Sequence, residues 1–447
     1  MKAIEGQLEL PIVPAAKQGR EVAPKWAWTE ACVWNERMLA TLERGIKGGK
    51  WYSLIDKVWK MENLQRAAEK VARGKSAKKP DGQACRRYLD ESSKRLPTLQ
   101  ATLQSGQYQP KPAKRVWIPK LGSKELRPLG IPPVENRVVE MALKNVLEPI
   151  FEHIFAEHSY GFRPGRGAKD ALRRVQELLM GGNSWVVDAD IKGYYDNIPQ
   201  DGMLKAVGQH LSDGRVLEMI RRFLQQGVME TGKGWSPTDQ GTPQGAVLSP
   251  LLANIYLNPL DHLMVQKGYQ MVRYADDFVI LCESQEQAQA ALETIRQWTE
   301  AAGLTLHPTK TRIVDANQRG GFDFLGYHFE RGYRWPRQKS LTKFKDVIRQ
   351  KTRKLQSGSM SDIITDINRT LRGWFEYFKH SHWTTFKPLD AWIRQRLRTI
   401  LRKRHRGKGR ARGRDHQRWP NAYFADLGLI SLTKAQKEAC QSCLSGH

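Results

Sequence analysis

The sequence predicts an α+β fold that is followed by an all-helical region. From residue 170 to residue 315, segments with helical spacing of apolar residues alternate with short apolar runs rich in β-branched and aromatic residues. Two of these runs, Gln270–Arg273 and Phe278–Cys282, flank a polar break, which is typical of a β-hairpin. Beyond Gly326 only helical periodicity is found. The pattern favours a small sheet covered by helices, with a separate helical domain after it.

Each element has its own local signal. The first helix is expected within Trp51–Arg73, where Leu54, Ile55, Val58 and Leu64 recur at roughly helical spacing. In the alternating region we expect helices at 170–180, 215–226, 244–257 and 286–302, and strands at 185–191, 270–282 (the hairpin) and 311–315. Three more helices are expected at 342–355, 363–378 and 388–401. The middle one carries a broad apolar stripe, so the three should form a bundle.

Composition restricts the class of protein. A chain of 447 residues is too long for one compact core and suggests two or three domains. The net charge of +27 favours a polyanionic partner whose binding weakens steeply with salt. Eight of the basic residues lie among the thirteen positions of Arg402–Arg414. Five scattered cysteines do not describe a disulfide framework. No apolar stretch approaches the roughly twenty residues that a membrane span needs, so no membrane contact is expected.

The acids of the hairpin carry the first indication of chemistry. Asp276 and Asp277 are adjacent at its tip, and two neighbouring like charges are stabilised when a cation neutralises them. An isolated Asp-Asp pair is more often a solvated turn. A second strand-like run, 185–191, also carries acids, Asp188 and Asp190. The combination indicates a divalent metal and phosphoryl transfer.

Ordered sequence blocks carry a family resemblance. The blocks are Arg115–Lys120, Leu126–Pro132, His158–Gly165, Asp190–Tyr195, Gly241–Pro250, Tyr274–Asp277, Leu306–Lys310 and Phe322–Gly326. In this order and spacing they resemble the reverse transcriptases encoded by bacterial group II introns. The resemblance covers roughly residues 111–329, and thinner similarity continues to the C-terminus. It implies the fingers and palm of a right-hand polymerase with an antiparallel palm sheet, followed by an all-α three-helix thumb, also called the maturase domain.

The resemblance also implies a domain division. We expect an N-terminal extension and the start of the fingers at 1–110, the fingers and palm at 111–330, the thumb or maturase domain at 331–405 and a basic C-terminal segment at 406–447. Larger family members carry a C-terminal endonuclease domain, but only about 30 residues follow Arg414. We therefore expect the endonuclease-lacking type, which does not cut DNA by itself.

The resemblance implies a two-metal mechanism of nucleotidyl transfer. In this mechanism one ion activates the primer 3′-hydroxyl and the other holds the triphosphate. Asp190 and Asp276 match the two principal metal ligands of the family, and Asp277 matches the third. The expected ions are two Mg²⁺, with Mn²⁺ as a possible substitute. Asp188 and Asp196 are the neighbouring alternatives, and the position within the motif favours Asp190.

A nucleotide site is implied by the same motifs. Lys120 and Arg127 match the basic pair that holds the incoming triphosphate, and the arginine fork suits phosphate oxygens. Tyr195 matches the aromatic residue that lies beneath the sugar and excludes a 2′-hydroxyl. Lys310 matches a residue proposed as general acid for pyrophosphate. The predicted dNTP-binding set is Lys120, Arg127, Ile191, Tyr195, Gln244 and Gly245.

Basic faces of the helical region are expected to contact RNA. The predicted RNA-binding residues are Lys343, Lys345, Arg349, Lys351, Arg353, Lys354, Arg402, Lys403 and Arg404. The aromatic segment Trp419–Phe424 also resembles the family's C-terminal segment. Its rings either stack on bases or fix the tail of the chain, and the sequence leaves both open.

The expected function follows from these matches. We expect an RNA-directed DNA polymerase encoded within a group II intron, which also acts as a maturase that binds intron RNA, assists splicing and supports retrotransposition by target-primed cDNA synthesis. Its expected partners are intron RNA, an RNA template with a DNA or RNA primer, dNTPs and target DNA. Its expected place is the bacterial cytoplasm, in ribonucleoprotein associated with the nucleoid. The oligomeric state stays open.

Two alternatives remain from the sequence. One is an RNA-binding splicing cofactor without polymerase activity. The other is a reverse transcriptase of a different bacterial system, such as a retron, a diversity-generating element or a CRISPR-associated enzyme. The intact acids Asp190, Asp276 and Asp277 argue against the first alternative. The maturase-like helical region argues against the second.

Overall fold

The computed structural model describes residues 25–46, 48–74, 80–119, 126–353 and 358–444. Contacts between Cα atoms divide the chain into two compact units. The larger unit is Pro24–Ala316, and the other, here called the C-terminal unit, contains Asn317–His447. This division lies ahead of the expected boundary after residue 330, and the four-part domain assignment stays a prediction.

Helices dominate the larger unit and surround two small sheets. Its elements in chain order are α1 (Glu36–Arg44), α2 (Ile55–Trp59), α3 (Met61–Ala72), α4 (Pro80–Asp90), α5 (Ser92–Gln104), β1 (Ala113–Pro119), β2 (Leu126–Ile131), α6 (Val134–Ile154), α7 (Ala168–Met180), β3 (Trp185–Asp190), α8 (Tyr194–Asn197), α9 (Gln200–Gly208), α10 (Gly214–Leu224), β4 (Val228–Glu230), β5 (Gly234–Ser236), α11 (Ser249–Gln266), β6 (Gln270–Tyr274), β7 (Asp277–Cys282), α12 (Gln285–Ala301) and β8 (Arg312–Asp315).

The two sheets of this unit differ in strand direction. Sheet A has the strand order β2-β1-β4-β5, with β1 parallel to β4 and the other pairs antiparallel. Sheet B has the order β6-β7-β3-β8 and is antiparallel throughout. The predicted antiparallel palm sheet is therefore confirmed. Its strands β3 and β7 are long enough to bury Val187, Phe278 and Ile280 completely, and α11 and α12 pack against the sheet.

Most predicted elements of this region are confirmed, and one is wrong at its start. The strands and the helices α7, α10 and α12 agree with the prediction to within one or two residues at each end. The helix predicted from 244, however, begins only at Ser249. Gly241 and Gly245 have φ values of +75° and +111°, which a right-handed helix cannot contain. The segment before α11 is therefore a turn that belongs to the site.

The C-terminal unit begins with a small sheet and continues with helices. Its elements are β9 (Phe322–Phe324), β10 (Tyr327–Glu330), β11 (Tyr333–Pro336), α13 (Gln338–Lys351), α14 (Met360–Phe378), α15 (Phe386–Arg404), α16 (Gly413–Arg418), α17 (Asn421–Asp426) and α18 (Leu432–Leu444). The strands form a meander of order β11-β10-β9, here called sheet C. Tyr327 ties sheet C to α14, since its ring lies 5.0 Å from that of Phe378 and its hydroxyl donates to the Tyr377 carbonyl at 2.6 Å.

The predicted three helices α13, α14 and α15 form one core, and the later helices extend it. Phe424 and Leu432 are completely buried in this core, and Trp419 is 6% exposed. The aromatic segment therefore fixes the tail. The basic run after α15 is also folded, because Arg402 donates to Asp415 at 2.6 Å and to the Lys408 carbonyl at 2.9 Å.

None of the helices in the described ranges combines the length and the apolar character needed to cross a lipid bilayer.

Candidate active site

The fold brings the three predicted acidic residues to one end of the central strands of sheet B, β3 and β7. Asp190 and Asp277 are directly opposite each other on β3 and β7, where antiparallel partners lie roughly 5 Å apart between Cα atoms. Asp276 precedes Asp277 in the turn of the hairpin, and Ala275 in the same turn has a left-handed φ of +61°. Residues that are far apart in the chain thus form one acidic cluster.

Like charge and burial destabilise the anionic form of this cluster. Burial raises the pKa of Asp276 above its ordinary value, and the nearby Asp190 raises it further. The positive charges of Arg127 and Arg273 act in the opposite direction. Because two carboxylates repel each other here, a cation placed between them would be strongly favoured.

Lys310 supplies a positive charge to one of these acids, Asp190. Its Nζ lies 2.6 Å from Oδ2 of Asp190, and the Asp190 carbonyl accepts a hydrogen bond from the His307 amide at 2.7 Å. The predicted nucleotide-site residue Ile191 forms a bridge with Leu306 on the same segment. The structure therefore places Lys310 beside the acids, held there by the continuation of β3.

The neighbouring acids have different partners. Asp188 lies two residues before Asp190 on β3 and pairs with Arg312 at 3.3 Å. Asp196 follows Tyr195 in α8 and accepts a hydrogen bond from Nε2 of Gln244 at 3.0 Å. Neither carboxylate is placed opposite the hairpin turn, because only Asp190 pairs with Asp277 in the register.

The donor set fits a hard divalent cation. Carboxylate oxygens are the protein ligands that Mg²⁺ prefers, and Asp190, Asp276 and Asp277 supply them from two adjacent strands. Within the described part of the chain, no three carboxylate, imidazole or thiol groups are already arranged around one point. At Asp190 the carboxylate is held in an ion pair with the Lys310 ammonium.

Three of the predicted nucleotide-binding residues, Arg127, Gln244 and Gly245, lie on β2 of sheet A or in the turn before α11. Arg127 on β2 is exposed, and its charge opposes the rise in the pKa of Tyr195 that burial and Asp276 cause. Its positive charge therefore acts on both Tyr195 and Asp276. Lys120, its predicted partner, lies outside the described residues.

The turn that contains Gln244 and Gly245 packs directly against β2. The Gly130 amide donates to the Gln244 carbonyl at 2.8 Å. A Cβ on Gly245 would lie 2.6 Å from the Gly130 carbonyl oxygen and 3.0 Å from the side chain of Leu129. On its other side, the Thr242 amide donates to the Tyr195 carbonyl at 2.7 Å. The turn thus links the strand of Arg127 to the helix of Tyr195.

The predicted RNA-binding residues lie on α13 and α15 of the C-terminal unit or just after them, apart from Lys354, which is outside the described residues. Several have acidic partners: Arg349 with Asp346, Lys351 with Asp366, and Arg402 with Asp415, each at 2.6 Å. Arg404 in the last turn of α15 donates to the Gly358 carbonyl at 2.7 Å. The others in the described part are Lys343, Lys345, Arg353 and Lys403.

Trp392 on α15 gathers three cations. Lys345, Arg349 and Arg396 lie 6.0, 5.8 and 5.6 Å from the centroid of its ring. Burial lowers the pKa of Arg396, and the charges of Arg349 and Arg410 lower it further. Like charges are thus concentrated here, which is the electrostatic condition for binding a polyanion. We call Lys345, Arg349, Trp392 and Arg396 the Trp392 cluster.

Comparison with known proteins decides the family. Residues 118–329 match the family model of the reverse transcriptase (RNA-dependent DNA polymerase), and residues 341–419 match the maturase-specific domain of group II introns. Protein YkfC of Escherichia coli K12 is 35% identical over 275 residues, which are 53% of this chain and 71% of YkfC. The chain belongs to the group II intron-encoded reverse transcriptases.

Other relatives are covered less completely. The group II intron-encoded protein LtrA of Lactococcus lactis subsp. cremoris is 38% identical over 175 residues, which are 39% of this chain and 29% of LtrA. A partial Cas6-RT-Cas1–Cas2 complex has a TM-score of 0.36 at 24% identity, covering 56% of this chain and 41% of that one. Telomerase of Candida albicans with a fragment of telomeric RNA has a TM-score of 0.41 at 16% identity, covering 67% and 60%.

Two buried charged residues of this reverse transcriptase lie outside the predicted site residues. Glu140 on α6 is 1% exposed and accepts hydrogen bonds from the Val247 amide and, at 3.4 Å, from the Leu248 amide. It therefore holds the backbone just after the nucleotide-site turn. Arg273, completely buried at the end of β6, is the second. Each is a lone charged residue in an apolar run, and that contrast is the signal that could have found it.

The ionisation of Glu140 should make the stability of the protein pH-dependent. Burial raises the pKa of this carboxyl from 4.5 to about 7. Between these pH values the folded state keeps a proton that the unfolded state releases, so stability should fall as the pH rises from 4.5 to 7. The shift corresponds to roughly 3 kcal/mol over the whole window.

The Glu140→Gln variant cannot titrate and should lose this dependence. Urea unfolding at pH 5 and pH 7.5 measures the difference in both proteins. As a control, Glu293→Gln on the exposed face of α12 should keep the wild-type dependence. Equal pH dependence in the wild type and in Glu140→Gln would contradict the assignment.

Proposed function

We propose that this chain is an RNA-directed DNA polymerase and a maturase that binds intron RNA. The observation that carries the polymerase assignment is the register of sheet B, which pairs Asp190 with Asp277, directly after the half-buried Asp276. Three carboxylates from two strands provide what nucleotidyl transfer with divalent ions requires. The substrates would be dNTPs, an RNA template and a DNA or RNA primer.

The acids would hold two Mg²⁺ ions, with Mn²⁺ as a possible substitute. When bound, such ions lower the pKa of the primer 3′-hydroxyl and neutralise the triphosphate. Lys310 would leave its ion pair with Asp190 and bind the departing pyrophosphate. Its Nζ would then donate a proton to the pyrophosphate or screen its negative charge. The contact of the Lys310 ammonium with Asp190 supports this role, because Asp190 is one of the proposed metal ligands.

The remaining residues would position the nucleotide. Arg127 would bind the triphosphate through its planar fork, with Lys120 as its proposed partner. Tyr195 would lie beneath the sugar and exclude a 2′-hydroxyl by its ring. Gly245 would let the backbone of its turn approach the nucleotide closely. The hydrogen bonds of this turn to β2 and α8 support that arrangement.

Primer extension on an RNA template tests the polymerase proposal. We expect the wild-type protein to synthesise DNA and Asp190→Asn to lose at least about 1,000-fold in rate, because the ions lose a ligand. Asp188→Asn is the matched control. It removes an acid from the same strand, but this acid forms an ion pair with Arg312. It should stay within about threefold of the wild type, as exposed ion pairs contribute little. A wild type without synthesis, or equal losses in both variants, would contradict the proposal.

We further propose that the C-terminal unit binds intron RNA, with the Trp392 cluster as one contact surface. Each phosphate contact that is removed should lower the salt dependence of binding by about one unit of slope. Lys345→Gln with Arg349→Gln should therefore lower the slope by about two. Titration of labelled intron RNA at several salt concentrations measures this. Lys434→Gln, on the exposed part of α18, should leave the slope unchanged.

Splicing assistance separates this proposal from a reverse transcriptase of another bacterial system. The RNA that flanks the reading frame is followed for self-excision at low Mg²⁺, with and without the protein. Stimulation would support the maturase role, retrotransposition into target DNA by target-primed synthesis, and a place in cytoplasmic ribonucleoprotein. Polymerase activity without any stimulation would favour the other systems. Stimulation that persists when synthesis is absent would favour a splicing cofactor.

A further inference from the structure

We infer that Arg273 is a positioning residue for DNA synthesis, because its guanidinium holds the backbone of the turn that carries the catalytic acids. The inference rests on the proposed polymerase function. Arg273 is the penultimate residue of β6, directly before Tyr274 and the turn, and its side chain is completely buried. It touches neither substrate nor ion in this arrangement. Its effect would pass through the Ala275 carbonyl.

The guanidinium of Arg273 donates hydrogen bonds in two directions. Toward α11, Nε donates to Oδ1 of Asp261 at 2.7 Å, and Nη2 donates to the other carboxylate oxygen. Toward the turn, Nη1 donates to Oδ1 of Asn254 and to the carbonyl oxygen of Ala275, both at 2.8 Å. Asn254 and Asp261 are seven residues apart on α11 and therefore lie on one face, two helical turns apart. One helix, α11, thus supplies both side-chain partners of the arginine.

The bonded carbonyl belongs to a strained residue. Ala275 has a φ of +61° and is 6% exposed. A non-glycine residue in this region is strained by about 1–3 kcal/mol and keeps the conformation only when its surroundings impose it. The bond from Arg273 is one such constraint. It acts on the peptide group immediately before Asp276.

The chain packs on the turn from the opposite side as well. A Cβ on Gly161 would lie 2.3 Å from the Ala275 amide nitrogen, so only glycine fits there. The Gly161 carbonyl accepts a hydrogen bond from Nδ2 of Asn254 at 2.8 Å. Asn254 therefore joins the two sides, with its oxygen on Arg273 and its nitrogen on Gly161. The Tyr160 amide adds a bond to the Arg273 carbonyl at 2.8 Å.

The partner charge of Asp261 is supplied by Arg273. His158 approaches the same carboxylate, with Nε2 at 3.8 Å from Oδ1, but burial lowers the pKa of this imidazole, which keeps it neutral near pH 7. A buried ion pair by itself adds little net stability. Two of the four hydrogen bonds of the guanidinium instead go to the Ala275 carbonyl in the turn and to the side-chain amide of Asn254. This distribution favours positioning of the acids over stabilisation of the fold alone.

Arg273→Lys tests the inference because it keeps the cation and removes the fork. One ammonium cannot reach Asp261, Asn254 and the Ala275 carbonyl together. We expect kcat for primer extension to fall about 10- to 100-fold, since displacements near 1 Å have effects of this size. KM for dNTP should stay within about threefold, because the nucleotide residues on β2 are not touched.

The matched control is Arg222→Lys on α10. Arg222 donates to the Gly106 and Tyr108 carbonyls at 2.9 and 3.0 Å and pairs with Glu218. It also loses a fork in this variant, but it has no bond to the hairpin. Its kcat should equal that of the wild type. A similar fall of kcat in both variants, in step with the loss of stability in urea, would overturn the inference.

Two further variants test whether Arg273 affects catalysis through the turn that contains Ala275. Ala275→Gly in the Arg273→Lys background removes the strain at a positive φ and should restore kcat at least threefold. Asn254→Ala leaves the ion pair with Asp261 in place and should lower kcat in the same way as Arg273→Lys, which keeps the inference testable if the lysine variant does not fold. Wild-type kcat in Asn254→Ala, or no restoration by Ala275→Gly, would contradict the route.

Hydrogen exchange separates failure of this inference from failure of the proposed function. Exchange of the amides at 274–277 is measured in the wild type and in Arg273→Lys without any turnover. Faster exchange in the variant is expected because the turn loses a constraint. If the wild type makes no DNA but the variant exchanges faster, the polymerase assignment fails while the structural role of Arg273 stands. Unchanged exchange would overturn the inference itself.

Discussion

Asp276→Asn is expected to abolish DNA synthesis without destabilising the protein. The rate of primer extension should fall at least about 1,000-fold, because the amide is a poor ligand for a divalent ion in place of a charged oxygen. The free energy of unfolding at pH 7.5 should be equal to that of the wild type or higher. Burial and Asp190 raise the pKa of the native carboxyl, so its charged form is disfavoured in the folded state above that pKa.

Paired measurements of rate and stability check this expectation. Urea unfolding at pH 7.5 gives the stability of both proteins, and primer extension gives the rate. A variant that loses synthesis and stability together would indicate that Asp276 serves the fold. Retained synthesis would refute its assignment as a metal ligand. A loss of synthesis together with a gain in stability would indicate that Asp276 is kept for function at a cost in stability.

Gly245→Ala is expected to disrupt the nucleotide site. The φ of +111° is strained for alanine, and the added Cβ would lie 2.6 Å from the Gly130 carbonyl oxygen. The turn must therefore move away from β2, the strand that carries Arg127. KM for dNTP should rise at least about tenfold, a loss of about 1.4 kcal/mol in binding. Steady-state kinetics at saturating template and primer measure the change.

Gly268→Ala separates the steric effect from the backbone effect. Gly268 also has a positive φ, +76°, but a Cβ there would meet nothing within 4 Å. This variant carries the conformational strain of alanine without a clash, and it lies after α11, away from the site. Its KM for dNTP should match that of the wild type. An equal rise of KM in both variants would contradict the proposed role of the turn.

The hairpin shows what could be read directly from the sequence. Its two apolar runs are interrupted only at Tyr274–Asp277, and the structure has the turn at this place. The prediction succeeded because both strands are short, continuous runs of buried residues bounded by a polar break. The helix predicted from 244 failed at its start for an equally local reason. Gly245 interrupts its first turn, and an apolar period does not reveal the positive φ of this residue.

The long-range contacts that hold the site residues in place could not be predicted from local sequence patterns. Glu140 reaches the Val247 and Leu248 amides across 107 and 108 residues of chain. Lys310 reaches Asp190 across 120 residues. Such pairs depend on how helices and strands pack, and one sequence contains no record of that packing. For Glu140 the hint is an isolated charge within an apolar run, whereas Lys310 was predicted for the site from the block Leu306–Lys310.

The sequence by itself determined the order of the motifs, the types of residue that phosphoryl transfer requires and the alternation of elements that forms sheet B. These are local properties, set by side-chain chemistry and by the period of apolar residues. The tertiary structure alone decided that Asp190 faces Asp277, that Lys310 holds Asp190 and that Arg273 grips the Ala275 carbonyl. These contacts join distant segments, and their geometry exists only after the core has packed.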